Sequence, residues 1–303
     1  MGKNKFNILS IDGGGARGII PAHILKRIAD EFEIDNFYEE FDLIVGTSTG
    51  SIIAAGLALG EPVEKIYDLY LNEAEEIFSD KNGFLNRFFK GKCLKSEYKK
   101  EKLIELLKNV FKDKKMKDSK TKLMIPATDL TNGDVYIHKS NYDEEFVRDT
   151  DTYIYKAVLS SCSAPTYFKP EKIKERYLLA DGGLWANNPS LLAYTEAISR
   201  FEIEHENIQI LSLGTGIGKS YFDMDKKYWG ALALIKKLID SLLNLQSINN
   251  NNICTHLLGE KQYLRLNYTS DNKLPLEKLP ENWAAKADRI FTYNSKKIEE
   301  YFS

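Results

Sequence analysis

Short apolar runs alternate along the chain with longer stretches in which apolar residues return every three or four positions. Phe6–Ile11, Asp42–Val45, Tyr177–Ala180 and Ile208–Leu213 are four to six residues long and nearly all apolar. That pattern predicts strands buried on both faces, as in a mostly parallel sheet covered by helices. The helical period predicts helices over 19–33, 48–59, 63–78, 154–161 and near 96–111. Pro189 suits a first helical turn and predicts a further helix reaching Arg200. Lys122–Thr128 and Asp134–His138 flank Asp129-Leu130-Thr131-Asn132-Gly133, which predicts a hairpin.

Beyond residue 217 the pattern weakens. Apolar residues at 231, 234, 235, 238, 242 and 245 form a helical stripe within 230–245. Core packing accounts for it, and a lid or membrane-inserting helix is the alternative. Asn249–Asn252 predicts a loop, and Trp283–Phe302 a terminal amphipathic helix. There is no internal repeat and no convincing linker, so residues 1–303 are expected to form a single domain.

The 303 residues carry 42 Lys and Arg against 44 Asp and Glu, but the charge is uneven. Residues 81–122 hold 15 basic and 5 acidic side chains. Such a segment either solvates a helix or faces anionic lipid headgroups, Lys112, Lys114, Lys115 and Lys117 being the residues to test. Cys93, Cys162 and Cys254 show no metal-ligand spacing. The amino terminus lacks a signal-like apolar stretch, and no apolar run nears the roughly 18 residues of a spanning helix. A cytoplasmic protein in peripheral contact with membranes is the expectation, with export lacking a cleavable signal as the other route. No nucleic-acid partner, cofactor or metal is expected.

Three strand ends carry the candidate chemistry. Gly46-Thr47-Ser48-Thr49-Gly50 lies between a strand and a helix and reads as a nucleophile elbow, the turn being too sharp for side chains at its flanks. Asp12-Gly13-Gly14-Gly15-Ala16-Arg17-Gly18 follows the first strand. Its bare amides could cradle a pyrophosphate or an oxyanion. A dinucleotide site needs an acid at the end of the second strand, and that strand runs into Gly46-Thr47-Ser48 instead. Asp181-Gly182-Gly183 ends the strand at Tyr177–Ala180. One Asp-Gly alone reads as a turn or cap; three such devices in one chain read as a site.

In these three motifs and their order the chain resembles the patatin-like phospholipases, lipid acyl hydrolases with a Ser-Asp dyad. The likeness continues through Ser160–Phe168 and Leu211–Gly216 and covers roughly residues 5–217, with an extension over about 218–303. It implies a three-layer α/β fold, Ser48 as nucleophile and Asp181 as base. It further implies an oxyanion hole at Gly13, Gly14 and Gly15, with Arg17, Gly18, Gly46, Gly50, Gly182 and Gly183 in support. Arg17 either pins the loop or meets substrate phosphate. Fatty-acyl esters of membrane phospholipids are the implied substrates. Bacterial members that degrade membranes in antiphage defence and are switched on by cyclic nucleotides are similar through Ala127–Leu130 and Ser160–Phe168, so a ligand-gated effector is the alternative. A storage or scaffolding role fits intact motifs poorly.

A Ser-His-Asp triad is the other catalytic option, because His256 follows Asp181 in the chain order of α/β-hydrolases. Against it, the elbow follows only the second strand and the glycine loop the first. His23, His138, His205 and His256 all lack a supporting motif. Gly214-Thr215-Gly216-Ile217-Gly218 reads as a tight exit from the sheet. Tyr167, Phe168 and Trp185 either line an acyl groove or pack in the core.

Overall fold

The computed structural model describes residues 5–78, 94–165, 167–218 and 231–302. Strand β1 (Phe6–Ile11) lies between β2 (Leu43–Gly46) and β7 (Ile208–Leu213) and is parallel to both. β3 (Lys122–Asp129) extends the parallel set beyond β2; β9 (Tyr263–Leu266), which follows the two-residue β8 (Ile217–Gly218) in the chain, extends it beyond β7. The chain is thus α/β with a mostly parallel sheet. Strand side chains alternate between two apolar cores. Leu9, Ile11, Ile44 and Leu211 face one, while Phe6, Ile8, Val45 and Ile210 face the other. The first core is closed by α1 (Ile19–Phe32), α2 (Thr49–Leu59), α3 (Val63–Phe78), α4 (Leu94–Phe111) and α5 (Ile154–Ser161). The second is closed by α6 (Ser190–Ser199) and the later turns of α7 (Ala231–Gln262). With both faces covered, the strands are largely apolar, hence the short apolar runs in the sequence.

One topological detail sets up the site. Met124 of β3 pairs with Val45 on one side and with Lys139 of β4 (Asp134–Lys139) on the other. Further along β3, Ala127, Thr128 and Asp129 pair with β4 and also with β6 (Tyr177–Asp181), which is antiparallel to β3. Having only two sides, β3 must hold β2 and β6 on the same one. The two strands therefore meet head-on along it, carboxyl end to carboxyl end. Asp181 reaches the sheet's carboxyl edge by running opposite to the parallel strands. β5 (Glu171–Ile173) continues the sheet past β6.

The carboxyl-terminal region departs from the sequence expectation in two places. Asn249–Asn252 is helical, an interior part of α7, which breaks only at Gly259 with φ 63. Helix propensity alone would allow a loop there. The tertiary contacts decide otherwise, since the Asn250 side chain donates to the Asn188 carbonyl at 2.9 Å. The expected terminal helix is two helices, α8 (Trp283–Tyr293) and α9 (Ser295–Phe302), parted at Asn294. Ring contacts of Phe302 with Phe32 at 5.2 Å and Phe41 at 6.1 Å seat α9 on the core. β9 went unread because it is four residues long and carries Arg265 in its middle. Of the basic segment, 81–93 lie outside the described residues, as does Thr166 in the Ser160–Phe168 stretch. No helix among the described residues is long and apolar enough to cross a membrane.

Candidate active site

β2 ends at Gly46, α2 begins at Thr49, and the chain reverses at Ser48 with φ 51 and ψ −128. A side chain at such a φ is strained, and this strain sets the seryl oxygen at the head of α2. A Cβ on Gly46 would fall 2.3 Å from the Gly50 carbonyl oxygen, and one on Gly50 would fall 2.6 Å from the carbonyl oxygen of Ile11. Neither flank tolerates a larger residue. Hydrogen bonds fix the turn from three sides. The Ser48 amide donates to Ser161 Oγ at 2.8 Å, Ser51 Oγ to the Ser48 carbonyl at 2.5 Å, and Thr47 Oγ1 to the Ala186 carbonyl at 2.6 Å. Ser161 in turn donates to the Pro126 carbonyl at 2.6 Å.

The Ser48 hydroxyl donates to Asp181 Oδ2 at 2.7 Å. Asp181 is 3% exposed, and its other oxygen accepts the Gly183 amide at 2.7 Å. Burial raises its pKa to about 6, against the lowering effect of the Ser48 and Gly183 hydrogen bonds. Gly182 lies so close to β3 that a Cβ would stand 2.3 Å from the Pro126 carbonyl oxygen. Behind the pair, the buried Cys162 thiol is pushed well up by desolvation and stays a neutral wall.

The three loop glycines differ in what their amides do. Gly13 donates to the Asn187 carbonyl at 3.1 Å, and Gly14 makes a longer bond of 3.3 Å to Thr49 Oγ1. For the Gly15 amide no acceptor occurs among the described residues. Gly15 has φ 61, and a Cβ there would strike the Leu276 carbonyl oxygen at 2.2 Å. Arg17 is buried and its guanidinium donates to the carbonyls of Gly14 at 3.1 Å and Gly216 at 3.0 Å. Of its two sequence-level roles, pinning the loop matches these bonds. Gly18 packs against the Tyr70 ring, whose hydroxyl donates to the Thr49 carbonyl at 2.5 Å.

Several residues of this site gave no sequence signal. Arg265 of β9 donates to both oxygens of Asp12, at 2.7 and 2.6 Å, and so ties the glycine loop to the carboxyl-terminal region. Thr215 Oγ1 donates to the Gly13 carbonyl at 2.8 Å, so the 214–218 turn packs on the glycine loop as well as leaving the sheet. Asn187 faces Gly13 and donates to Ser247 Oγ of α7 at 2.8 Å. Asn187 lies four residues past Gly183 and so had a motif beside it; Arg265 had none. Among the residues set aside, Trp185 donates to the Ala127 carbonyl at 2.9 Å and Phe168 is buried in the core.

None of the four histidines is hydrogen-bonded to Ser48. His23 bonds Asp288 at 3.0 Å, His138 faces Ser160 at 2.9 Å, and His205 meets Tyr194 at 3.0 Å. His256 is exposed on α7. With Asp181 directly on Ser48, the triad option has no histidine in place. A hydroxyl on a strained elbow, a buried carboxylate bonded to it and a neighbouring glycine loop whose Gly15 amide has no acceptor among the described residues match the parts acyl transfer needs: a nucleophile, a base and charge stabilisation.

That class is narrowed by comparison with known proteins. The sequence model of the family described as patatin-like phospholipase matches residues 9–194. A cGAMP-activated phospholipase of Escherichia coli (strain TW11681) is 30% identical over 302 residues, covering 93% of this chain and 83% of that protein. A cUMP-AMP-activated phospholipase of Escherichia coli is 31% identical, covering 81% and 76% respectively. Among solved structures, VipD from Legionella pneumophila superposes with a TM-score of 0.55 at 12% identity, covering 99% of this chain and 67% of that one, a likeness of fold. The chain belongs to the patatin-like phospholipase family, and with it to the ester hydrolases.

Proposed function

We propose that the protein hydrolyses fatty-acyl esters of membrane phospholipids through Ser48 and Asp181, by way of an acyl-enzyme. The observation that carries this reading is the 2.7 Å bond from the Ser48 hydroxyl to a carboxylate whose pKa is raised to about 6. An ordinary aspartate is too weak a base for a serine hydroxyl; a desolvated one holds a proton near neutral pH. Ser48 attacks the ester carbonyl while Asp181 takes the proton. Gly14 and Gly15 amides stabilise the oxyanion, Gly13 closing the turn behind them through Asn187. Asp181 returns the proton to the leaving lysolipid, then draws one from water as the acyl group is released. Arg17, Gly18, Gly46, Gly50, Gly182 and Gly183 hold the backbone in this arrangement. The whole chain acts as one catalytic unit, because Arg265 and α7 complete the surroundings of the motifs.

A second feature of the reading is gating by a cyclic nucleotide. Its support is that two relatives named for such activation align over 93% and 81% of this chain. The test is fatty-acid release from mixed phospholipid vesicles by purified protein, with and without cyclic dinucleotides. Release that depends on both Ser48 and a cyclic dinucleotide establishes the gated form, and release without ligand the constitutive one. A folded protein that releases nothing under either condition removes the hydrolase reading.

A further inference from the structure

Helix α7 has two faces of opposite character over its middle turns. The inner face is bonded to the segment that follows Asp181. Leu243 packs where a Gly183 Cβ would stand, at 2.7 Å, and Gln246 Oε1 accepts the Asn188 amide at 2.8 Å. Ser247 and Asn250 make the side-chain bonds to Asn187 and Asn188. Positions 243, 246, 247 and 250 are the spacing of one helical face.

The outer face presents Leu238 at 44% exposure, Leu242 at 50% and Leu245 at 62%, flanked by Ile248 at 38%. The first three fall at i, i+4 and i+7, a single stripe, and the four span about 15 Å of helix. On the same face further along, Asn249, Asn252 and His256 are exposed and polar. Among the described side chains of α7, the exposed apolar residues cluster in the half that overlies the site, with Leu257 alone beyond it at 46% exposure. The helix is roughly 10 Å across, so the stripe lies about that far outside the dyad.

Resting on the phospholipid-hydrolase reading, we propose that Leu238, Leu242, Leu245 and Ile248 form a bilayer-docking surface that seats the site over its substrate. A phospholipid ester lies at the boundary between headgroups and acyl chains. An interfacial helix sinks its apolar face roughly 5–10 Å into that boundary, which would bring Ser48 towards the ester. The one acidic side chain in this stretch, Asp240, is paired with Lys273 at 2.8 Å, so no unpaired carboxylate there opposes an anionic surface. Of the four lysines singled out in the sequence, Lys112 and Lys114 are exposed and the other two are engaged in ion pairs. Lys115 and Lys117 are paired with Asp151 at 3.0 and 2.9 Å. Lys117, Lys120 and Lys122 line a polar recess with Asp42, at the amino ends of β2 and β3, the opposite edge of the sheet from Ser48.

The test uses the full chain carrying Ser48→Ala, so that vesicles stay intact. Co-sedimentation with phosphatidylcholine vesicles, and with the same vesicles containing phosphatidylglycerol, is measured with and without cyclic dinucleotide. Leu242→Glu with Leu245→Glu should lower partitioning roughly tenfold or more on both compositions. Leu242→Ala with Leu245→Ala should lower it less, in the same direction, and guards against misfolding. Lys115→Glu with Lys117→Glu should change it by less than about twofold. With Ser48 restored, the leucine variants should lose hydrolysis of vesicle lipid and keep that of a short soluble ester. Unchanged partitioning in both leucine variants overturns the proposal, as does a wild-type chain that binds no vesicle with or without ligand. A leucine variant that turns a dimer into a monomer and still binds vesicles overturns it too, since a second copy then covers the face. Absent ester hydrolysis with leucine-dependent binding would instead strike the hydrolase reading alone.

Discussion

Of the serines in hydrogen-bonded clusters, two that stand beside a carboxylate or an imidazole have opposite prospects. Ser160 on α5 has the partners of a hydrolytic triad: His138 Nε2 stands 2.9 Å from its oxygen, and Asp149 lies 3.5 Å behind the imidazole. Ser48 has only Asp181. Yet Ser160 is wholly buried, lies in a regular helix, and gives its hydroxyl hydrogen to the Ala157 carbonyl at 2.7 Å. Its oxygen must then accept from His138, the reverse of what a general base does. Ser48 instead donates to its carboxylate and lies against the glycine loop, where a Cβ on Gly13 would stand 3.0 Å from its own. Direction of the hydrogen bond, a strained backbone and nearby donors separate a nucleophile from a structural hydroxyl; the identity of the partners does not.

The sharpest way to break this contrast is substitution at each serine. Ser48→Ala and Asp181→Asn should each cut ester turnover by about a thousandfold or more, read as kcat/KM on a soluble ester with circular dichroism unchanged. Ser160→Ala should leave it within about tenfold. Equal losses at Ser48 and Ser160 would erase the distinction.

The glycine loop comes next in size. Gly14→Ala would place a Cβ 2.2 Å from Thr215 Oγ1 and displace the loop amides. A fall of about 10²–10³ in kcat is expected, with substrate KM moving much less. A normal kcat in this variant would take Gly14 and Gly15 out of oxyanion binding.

The two carboxylates should also answer pH differently. Asp181 must be ionised to accept the Ser48 proton, and burial raises its pKa to about 6. kcat/KM should therefore fall roughly tenfold per pH unit as pH drops below that value. Asp149 is shifted the other way: the His138 imidazole 3.5 Å away and the Arg148 guanidinium hold it well below the usual carboxylate range, against burial. Its contribution to stability is complete above the unfolded value near 3.9 and is lost as pH falls below that. A pH–rate profile and acid melts should show two separate limbs, and Ser160→Ala should leave the first where it is.

The smallest effect concerns stability. Ser160→Ala leaves His138 without its acceptor in a sealed core and should cost about 1–3 kcal/mol in urea unfolding. A neutral result would mean that the cluster rearranges or holds water. His256→Gln should change neither stability nor turnover appreciably, measured by the same two assays.

Much of this arrangement was legible along the chain. Strand runs with both faces apolar, the Gly-x-Ser-x-Gly turn, the triple glycine and Asp181-Gly182-Gly183 are local statements, each set by sterics within a few residues. They placed four of the five parallel strands and every residue of the proposed dyad and oxyanion loop. Arg265 stayed silent because an isolated arginine in a four-residue strand says nothing about the carboxylate it will meet 253 positions away. Asn249–Asn252 misled for a related reason: side-chain bonds to a distant loop outweighed the local preference.

By itself, then, the order of residues determined which turns are tight and which runs are buried, and so which turns are the candidates for chemistry, since both follow from backbone geometry and hydrophobic period. Only the folded chain decided how those turns meet. β2 and β6 abut along one side of β3, Gly13 gives its amide to Asn187, and α7 turns leucines outward above the site. Each of these depends on contacts between segments far apart in sequence, whose energies no short stretch of residues contains.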